Sequence, residues 1–213
     1  MSVLVLAGTI GAGKSSLTEM LAKELGTEAF YESVDDNKVL PLFYKEPQKY
    51  AFLLQIYFLN KRFDSIKQAL SNNNNVLDRS IYEDSLLFHL NADLGRATET
   101  EVEVYDSLLE NMMQEINILT FKKKPDLLIH ISVSFEKMLE CIQKRGRKFE
   151  QLEYDPSLFD YYQELNRRYE DWFDNFDICP KIQIDGDKFD FVEEESARKI
   201  VLNKINDKLK VNV

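Results

Sequence analysis

The chain reads as an α/β fold: a five-stranded parallel sheet flanked by helices, in one domain spanning residues 1–213. Three observations predict it. Five short strand-like runs alternate with long segments of helical period. Two of those runs, VLVLA and LLIHI, are continuously apolar, as parallel strands buried on both faces should be. Three of the seven glycines, Gly8, Gly11 and Gly13, crowd between the first run and the first helical pattern.

The elements follow in order. Val3–Ala7 is the first apolar run, and Ser15–Leu25 carries helical period behind the glycines. Ala29–Glu32 is a second short run. Pro47–Ser71 opens with proline, as helices often do, and Phe52, Leu59, Phe63 and Ile66 share one of its faces. Gln55 and Arg62 lie along that face. Asn72–Asn75 is a polar loop ahead of the third run, Val76–Ser80. The helical segment Thr100–Thr120 follows. Lys122–Lys124, before Pro125, forms a solvated turn into Leu127–Ser132. Helical period returns in Phe135–Lys144 and Leu158–Phe176, the fifth run is Lys181–Ile184, and Glu193–Val211 closes the chain. No repeat or linker divides these 213 residues, and that length suits a single buried core.

Composition removes several function classes. Thirty-seven acidic against 27 basic residues leave a formal charge of −10. So acidic a surface argues against general phosphate contact with DNA or RNA and against docking on anionic membranes. Cys141 and Cys179 lack disulfide-framework or metal-ligand spacing, and the two histidines, His89 and His130, do not complete a zinc set. The N-terminal run has no basic flank, and no apolar stretch reaches 18 residues, so a cytoplasmic location is expected.

Gly8-Thr9-Ile10-Gly11-Ala12-Gly13-Lys14-Ser15 matches G-x-x-x-x-G-K-[ST], between a strand and a helix as that motif requires. Its backbone N–H groups, with Ser16 just inside the helix, suit the phosphates of ATP. Lys14 is placed for the terminal phosphates and the Ser15 hydroxyl for Mg²⁺. No DxxG or NKxD accompanies the motif, which disfavours a GTPase switch. The chain is also short for a motor or helicase. A three-layer P-loop kinase fold acting on a small molecule is what remains.

At this point the residues resemble a known family, the deoxyribonucleoside kinases, and within it most nearly the bacterial deoxyadenosine kinases. Beyond the P-loop the resemblance rests on Tyr31-Glu32-Ser33, on Leu42-Phe43-Tyr44-Lys45-Glu46-Pro47 leading to Phe52-Leu53-Leu54-Gln55, on Asp78-Arg79-Ser80 with Asp84, and on Lys144-Arg145-Gly146-Arg147. It covers nearly the whole chain. It implies transfer of the γ-phosphate of ATP to the 5′-hydroxyl of a deoxynucleoside, a homodimer, and a lid over about residues 144–152.

Each motif also has a physical reading. Glu32, at the carboxyl end of the second run, can accept the 5′-hydroxyl proton, with Asp35 and Asp36 as neighbouring rivals. Its charge would repel a nucleoside monophosphate. Arg79 can hold Glu32 ionised and neutralise the transferring phosphoryl group. Asp78 is placed to support Mg²⁺ through water, although many members of the family carry Glu there. Arg145 and Arg147 suit a phosphate clamp. By resemblance, Gln55 binds the base with Arg62 and Asp84 around it, and Tyr44 and Glu150 meet the sugar 3′-hydroxyl. The loop Asp185–Phe191, represented by Asp187 and Phe191, resembles the one over the donor adenine.

An ionised Asp84 suits a base with an exocyclic amine more than thymine. The resemblance to bacterial deoxyadenosine kinases implies deoxyadenosine first, with deoxyguanosine and deoxycytidine open. The competing readings are a nucleoside monophosphate kinase of thymidylate-kinase type and a nucleotide-binding module without turnover. Residues 150–195 hold fifteen acidic and four basic side chains, so the rest of the chain is nearly neutral and the site itself is expected to be locally basic.

Overall fold

The computed structural model describes residues 3–32, 36–69, 75–119 and 124–211. Ser33, Asp35, most of the asparagine-rich loop, and Lys122 and Lys123 lie outside the described residues. Five strands form one sheet: β1 (Val3–Gly8), β2 (Glu28–Phe30), β3 (Asn75–Asp78), β4 (Leu127–Ser132) and β5 (Lys181–Asp185). All pair in parallel, in the order β2-β3-β1-β4-β5.

The period-2 alternation of β1 divides its side chains between the two faces. Leu4 and Leu6 join the core that includes Leu17 and Leu21 of α1 (Lys14–Leu25) and Val201 and Ile205 of α8 (Glu195–Val211). Val5 and Ala7 join a second cluster with Phe173 of α7 (Leu158–Asn175) and Phe176 just beyond it. With both faces covered, β1 has no solvated side, and this accounts for its unbroken apolar sequence. β1 is also the strand where the order reverses direction, so its carboxyl end opens a crevice of the kind in which ligands bind.

The remaining helices are α2 (Leu40–Lys45), α3 (Pro47–Ala69), α4 (Asp84–Asp93), α5 (Glu99–Leu119) and α6 (Phe135–Arg145). On α3, Phe52, Leu59, Phe63 and Ile66 pack as expected, into a cluster with Phe88 of α4 and Tyr105 of α5.

Four expectations need correction. β3 stops at Asp78, two residues short of the predicted end, because Arg79 adopts φ +93°, which no strand can continue. β2 ends at Phe30, so Glu32 sits in a connecting segment and can turn toward the crevice. Asn75 is a buried strand residue whose amide donates to the Ala69 carbonyl, where a polar loop was predicted. Helices α2 and α4 were not foreseen. The first is only six residues, started by the Asn37 side chain accepting from the Val39 and Leu40 N–H groups. The second begins after a one-turn 3-10 helix, Ile81–Glu83, that hides its period.

Candidate active site

The P-loop leaves β1 through backbone that only glycine fits. A Cβ on Gly8 (φ +145°) would lie 2.7 Å from the Ile131 carbonyl oxygen, so β1 and β4 can approach there only with glycine. Gly13 (φ +88°) starts α1 and lies under the Phe191 ring. The loop turns Lys14 inward, where its ammonium donates to the Gly8 and Thr9 carbonyls at 2.8 Å each. Burial, helped by the Arg79 charge, lowers the Lys14 pKa to about 8, against the opposing pull of Asp78, Glu83 and Glu32.

Around this loop lies a cleft of about 680 Å³. The Ser15 hydroxyl donates to Asp78 Oδ2, and the buried Asp78 Oδ1 has no hydrogen-bond partner among the described residues. Burial raises the Asp78 pKa, with Lys14 and Ser15 opposing. A hydroxyl beside an orphaned carboxylate oxygen, at the mouth of a phosphate loop, fits a hard cation such as Mg²⁺. Among the described residues no cluster of three His, Cys, Asp or Glu side chains offers a fuller metal cage.

Glu32 brings three elements together. Its Oε1 accepts from Arg62 Nη2 of α3 at 2.8 Å and pairs with Arg79 Nε at 2.9 Å. Burial alone would raise its pKa, but Arg79, Arg62 and Lys14 outweigh that and hold the carboxyl below the usual range. Arg79 also donates to the Tyr169 hydroxyl at 2.8 Å. Burial opposes its charge, yet Glu32, Tyr169, Glu83 and Asp78 together push its pKa well up.

Gln55 lines the cleft at 4% exposure, and its Oε1 finds no donor among the described residues. Arg62 and Asp84 lie one layer deeper. They pair with each other, and Arg62 lines a smaller adjoining pocket that shares Glu32, Asp78 and Arg79 with the cleft. Tyr44 and Glu150 also line the cleft. Tyr44 packs at a tilt against Phe149, 5.1 Å between centroids, and burial, followed by Tyr162 and Glu150, raises its pKa well above the ordinary value. Glu150 is itself held by Arg145 and, at 3.7 Å, by Arg147, both of which line the cleft.

Along its length, therefore, this cleft runs from phosphate loop, through a charged Glu–Arg pair, to a polar amide among aromatic and aliphatic residues. A family model described as deoxynucleoside kinase matches residues 4–210. The chain belongs to the deoxynucleoside kinase family. It is 63% identical to a deoxyguanosine kinase of Lactobacillus johnsonii, over 99% of this chain and 93% of that protein. It is 55% identical to a deoxyadenosine kinase of Lactobacillus acidophilus, over 99% and 97%. Among solved structures, deoxyadenosine kinase from M. mycoides with bound dCTP superposes with a TM-score of 0.79 at 28% identity, covering 96% of this chain and 99% of that one.

In this kinase two expectations about the site change. Asp187 is not part of the cleft lining; its carboxylate accepts from the Ser134 N–H and hydroxyl at 2.7 and 2.6 Å, tying the donor-side loop to the start of α6. Phe191 does line the cleft. Nor is the site basic overall. Lys14, Arg79, Lys137, Lys144, Arg145 and Arg147 are matched by Glu32, Asp78, Glu140, Glu150, Asp190 and Glu193. The fold brings three members of the acidic segment back to the cleft wall, which linear charge counting cannot register.

Sequence reasoning also missed Glu83 and Tyr169. Glu83 is fully buried beside Arg79, and its one legible signal was Ser80-x-x-Glu83, a capping box at the start of the 3-10 turn. Tyr169 looked like one more core aromatic.

Proposed function

We propose that this kinase transfers the γ-phosphate of ATP to the 5′-hydroxyl of a purine 2′-deoxynucleoside, deoxyguanosine ahead of deoxyadenosine. The observation that carries the acceptor class is Glu32: a carboxylate held ionised by two guanidinium groups at the phosphate loop. A hydroxyl there has a base for its proton, whereas an acceptor phosphate would meet a negative charge. The buried Gln55 Oε1 asks for a donor from the base, and adenine, guanine and cytosine all offer an amine. The likeness to a deoxyguanosine kinase at 63%, against a deoxyadenosine kinase at 55%, moves guanine to the front of the order expected from sequence.

In the reaction Glu32 takes the 5′-hydroxyl proton as that oxygen bonds the γ-phosphorus and the bond to the ADP oxygen breaks. Arg79 and Lys14 stabilise the charge that spreads over the phosphoryl oxygens, and Arg145 and Arg147 hold the triphosphate from the lid side. Gln55, with Arg62 and Asp84 behind it, orients the base; Tyr44 and Glu150 take the 3′-hydroxyl. Ser15 and Asp78 would hold Mg²⁺, which supplies neutralisation of phosphate charge when bound. The donor purine lies toward Phe191. A cytoplasmic homodimer, as the family resemblance implies, belongs to the same reading; no described helix is long and apolar enough to cross a membrane.

Coupled ADP release tests this with each deoxynucleoside and with dAMP and dTMP. The expected order of kcat/KM is deoxyguanosine, deoxyadenosine, then deoxycytidine, with no turnover of monophosphates. Preference for dTMP would identify a monophosphate kinase, and ATP binding without turnover of any acceptor a binding module.

A further inference from the structure

Arg79 is the one non-glycine described residue with a positive φ. Such backbone is strained and persists only where the surroundings over-determine it. Glu32, Tyr169 and Glu83 all lie against the Arg79 guanidinium, and Glu83 also holds the backbone beside it. Glu83 is 0% exposed, and its Oε1 accepts from the Ser80 N–H at 3.1 Å, the peptide that follows the strained residue. The same oxygen lies 3.6 Å from Arg79 Nη1. Its other oxygen, Oε2, accepts from the Gly8 N–H at 3.4 Å, where β1 becomes the phosphate loop. The Tyr169 hydroxyl closes the circuit: it accepts from Arg79 Nη1 beside the Glu83 carboxylate.

We propose that Glu83, seconded by Tyr169, is the positioning residue that fixes Arg79, backbone and guanidinium together, in register with the phosphate loop. One carboxylate touches both halves of the phosphoryl-transfer machinery, the loop through Gly8 and the Asp78-Arg79-Ser80 segment through Ser80 and Arg79. It also gives Arg79 a counter-charge independent of Glu32. When Glu32 accepts the substrate proton, its attraction for Arg79 falls, and Glu83 keeps the guanidinium neutralised and in place. Nothing about Glu83 touches substrate; it acts through Arg79. The proposal rests on Arg79 acting at the phosphoryl group, as in the function proposed above.

The test is steady-state kinetics of Glu83→Gln, Tyr169→Phe and Arg79→Ala, with melting temperature measured for each. A glutamine at position 83 has one acceptor oxygen and sets an N–H₂ group against either the Ser80 or the Gly8 donor, so it cannot satisfy both. Glu83→Gln is expected to lower kcat about 10²-fold, as a misplaced catalytic group does, with KM for ATP and for deoxynucleoside within about twofold. Tyr169→Phe keeps the ring and loses only the hydroxyl; kcat falls about tenfold with the same unchanged KM values. Should Glu83→Gln not fold, Tyr169→Phe carries the decision. Wild-type kcat in the folded fraction of either variant overturns the proposal, as does a loss confined to KM. If Arg79→Ala itself turns over normally, the functional reading of Arg79 fails, which is a different result from Arg79→Ala being inactive while Glu83→Gln is not.

Discussion

Two assemblies of arginines and carboxylates contribute to the cleft lining, and they are built differently. The inner one joins Glu32, Arg62 and the stretch from Arg79 to Asp84 that carries Glu83, three separate segments of the chain, all buried or nearly so. The lid one joins Arg145, Arg147 and Glu150, neighbours in sequence, with the arginine side chains 32% and 27% exposed. Charges removed from water are costly to leave unpaired, so the inner assembly is rigid and must be complete before substrate arrives. Glu150 is itself buried at 3% exposure and needs a counter-charge, while the partly solvated guanidinium groups of Arg145 and Arg147 also line the cleft. The same two residue types thus give one assembly whose arginines are buried and another whose arginines are partly solvated around a buried carboxylate, and the difference is the exposure of the guanidinium groups.

The strongest attack on that contrast is Arg79→Ala. It strips Glu32 and Glu83 of their shared cation, and we expect kcat to fall about 10³-fold with a loss of stability of about 3–5 kcal/mol, read by turnover and denaturant unfolding. Turnover damage without destabilisation would mean the inner assembly is less rigid than its burial implies.

Glu32→Gln comes next: kcat about 10²-fold lower with ATP affinity retained, measured by kinetics and nucleotide titration. Near-normal turnover removes Glu32 from the mechanism. In the unmodified enzyme the pH profile carries the same information. Because the folded pKa of Glu32 is lowered, its stabilising pairs are present above the unfolded value and are lost as pH falls through the folded one. The acid limb of kcat should therefore appear only below about pH 4.3, the ordinary glutamate value.

On the lid side, Arg147→Ala should raise KM for ATP and lower kcat by about tenfold, while thermal stability stays within about 0.5 kcal/mol. Large destabilisation there would erase the contrast. The smallest effect belongs to Lys14. As pH climbs past about 8 the free enzyme's ammonium loses its proton, so the dissociation constant for ATP should rise through that range, in isothermal titration from pH 7 to 9.5.

How legible each assembly was in the sequence follows its construction. The phosphate loop and the basic run at the end of α6 could be picked out as candidates because their patterns are local. A glycine pattern between strand and helix, or a basic run ending α6, sets its geometry within a few residues. Strand and helix identities were readable for the same reason, since hydrophobic period reports burial one turn or one pleat at a time. Glu32, Arg79, Gln55 and Asp84 could be named as candidates through a family resemblance, but nothing in their spacing shows that Arg62 reaches Glu32 across 30 positions or that Tyr169 reaches Arg79 across 90. Asp187 and the site's charge balance were misjudged alike: a carboxylate's partner depends on which segment folds against it. From its own order of residues this chain determined an α/β sheet with a phosphate loop at its centre. Only the tertiary structure decided that Glu83, four residues from the strained Arg79, would also reach the Gly8 N–H across 75 positions, because burying a charge against a partner from a distant segment is a property of the packed core and leaves no local periodicity to read.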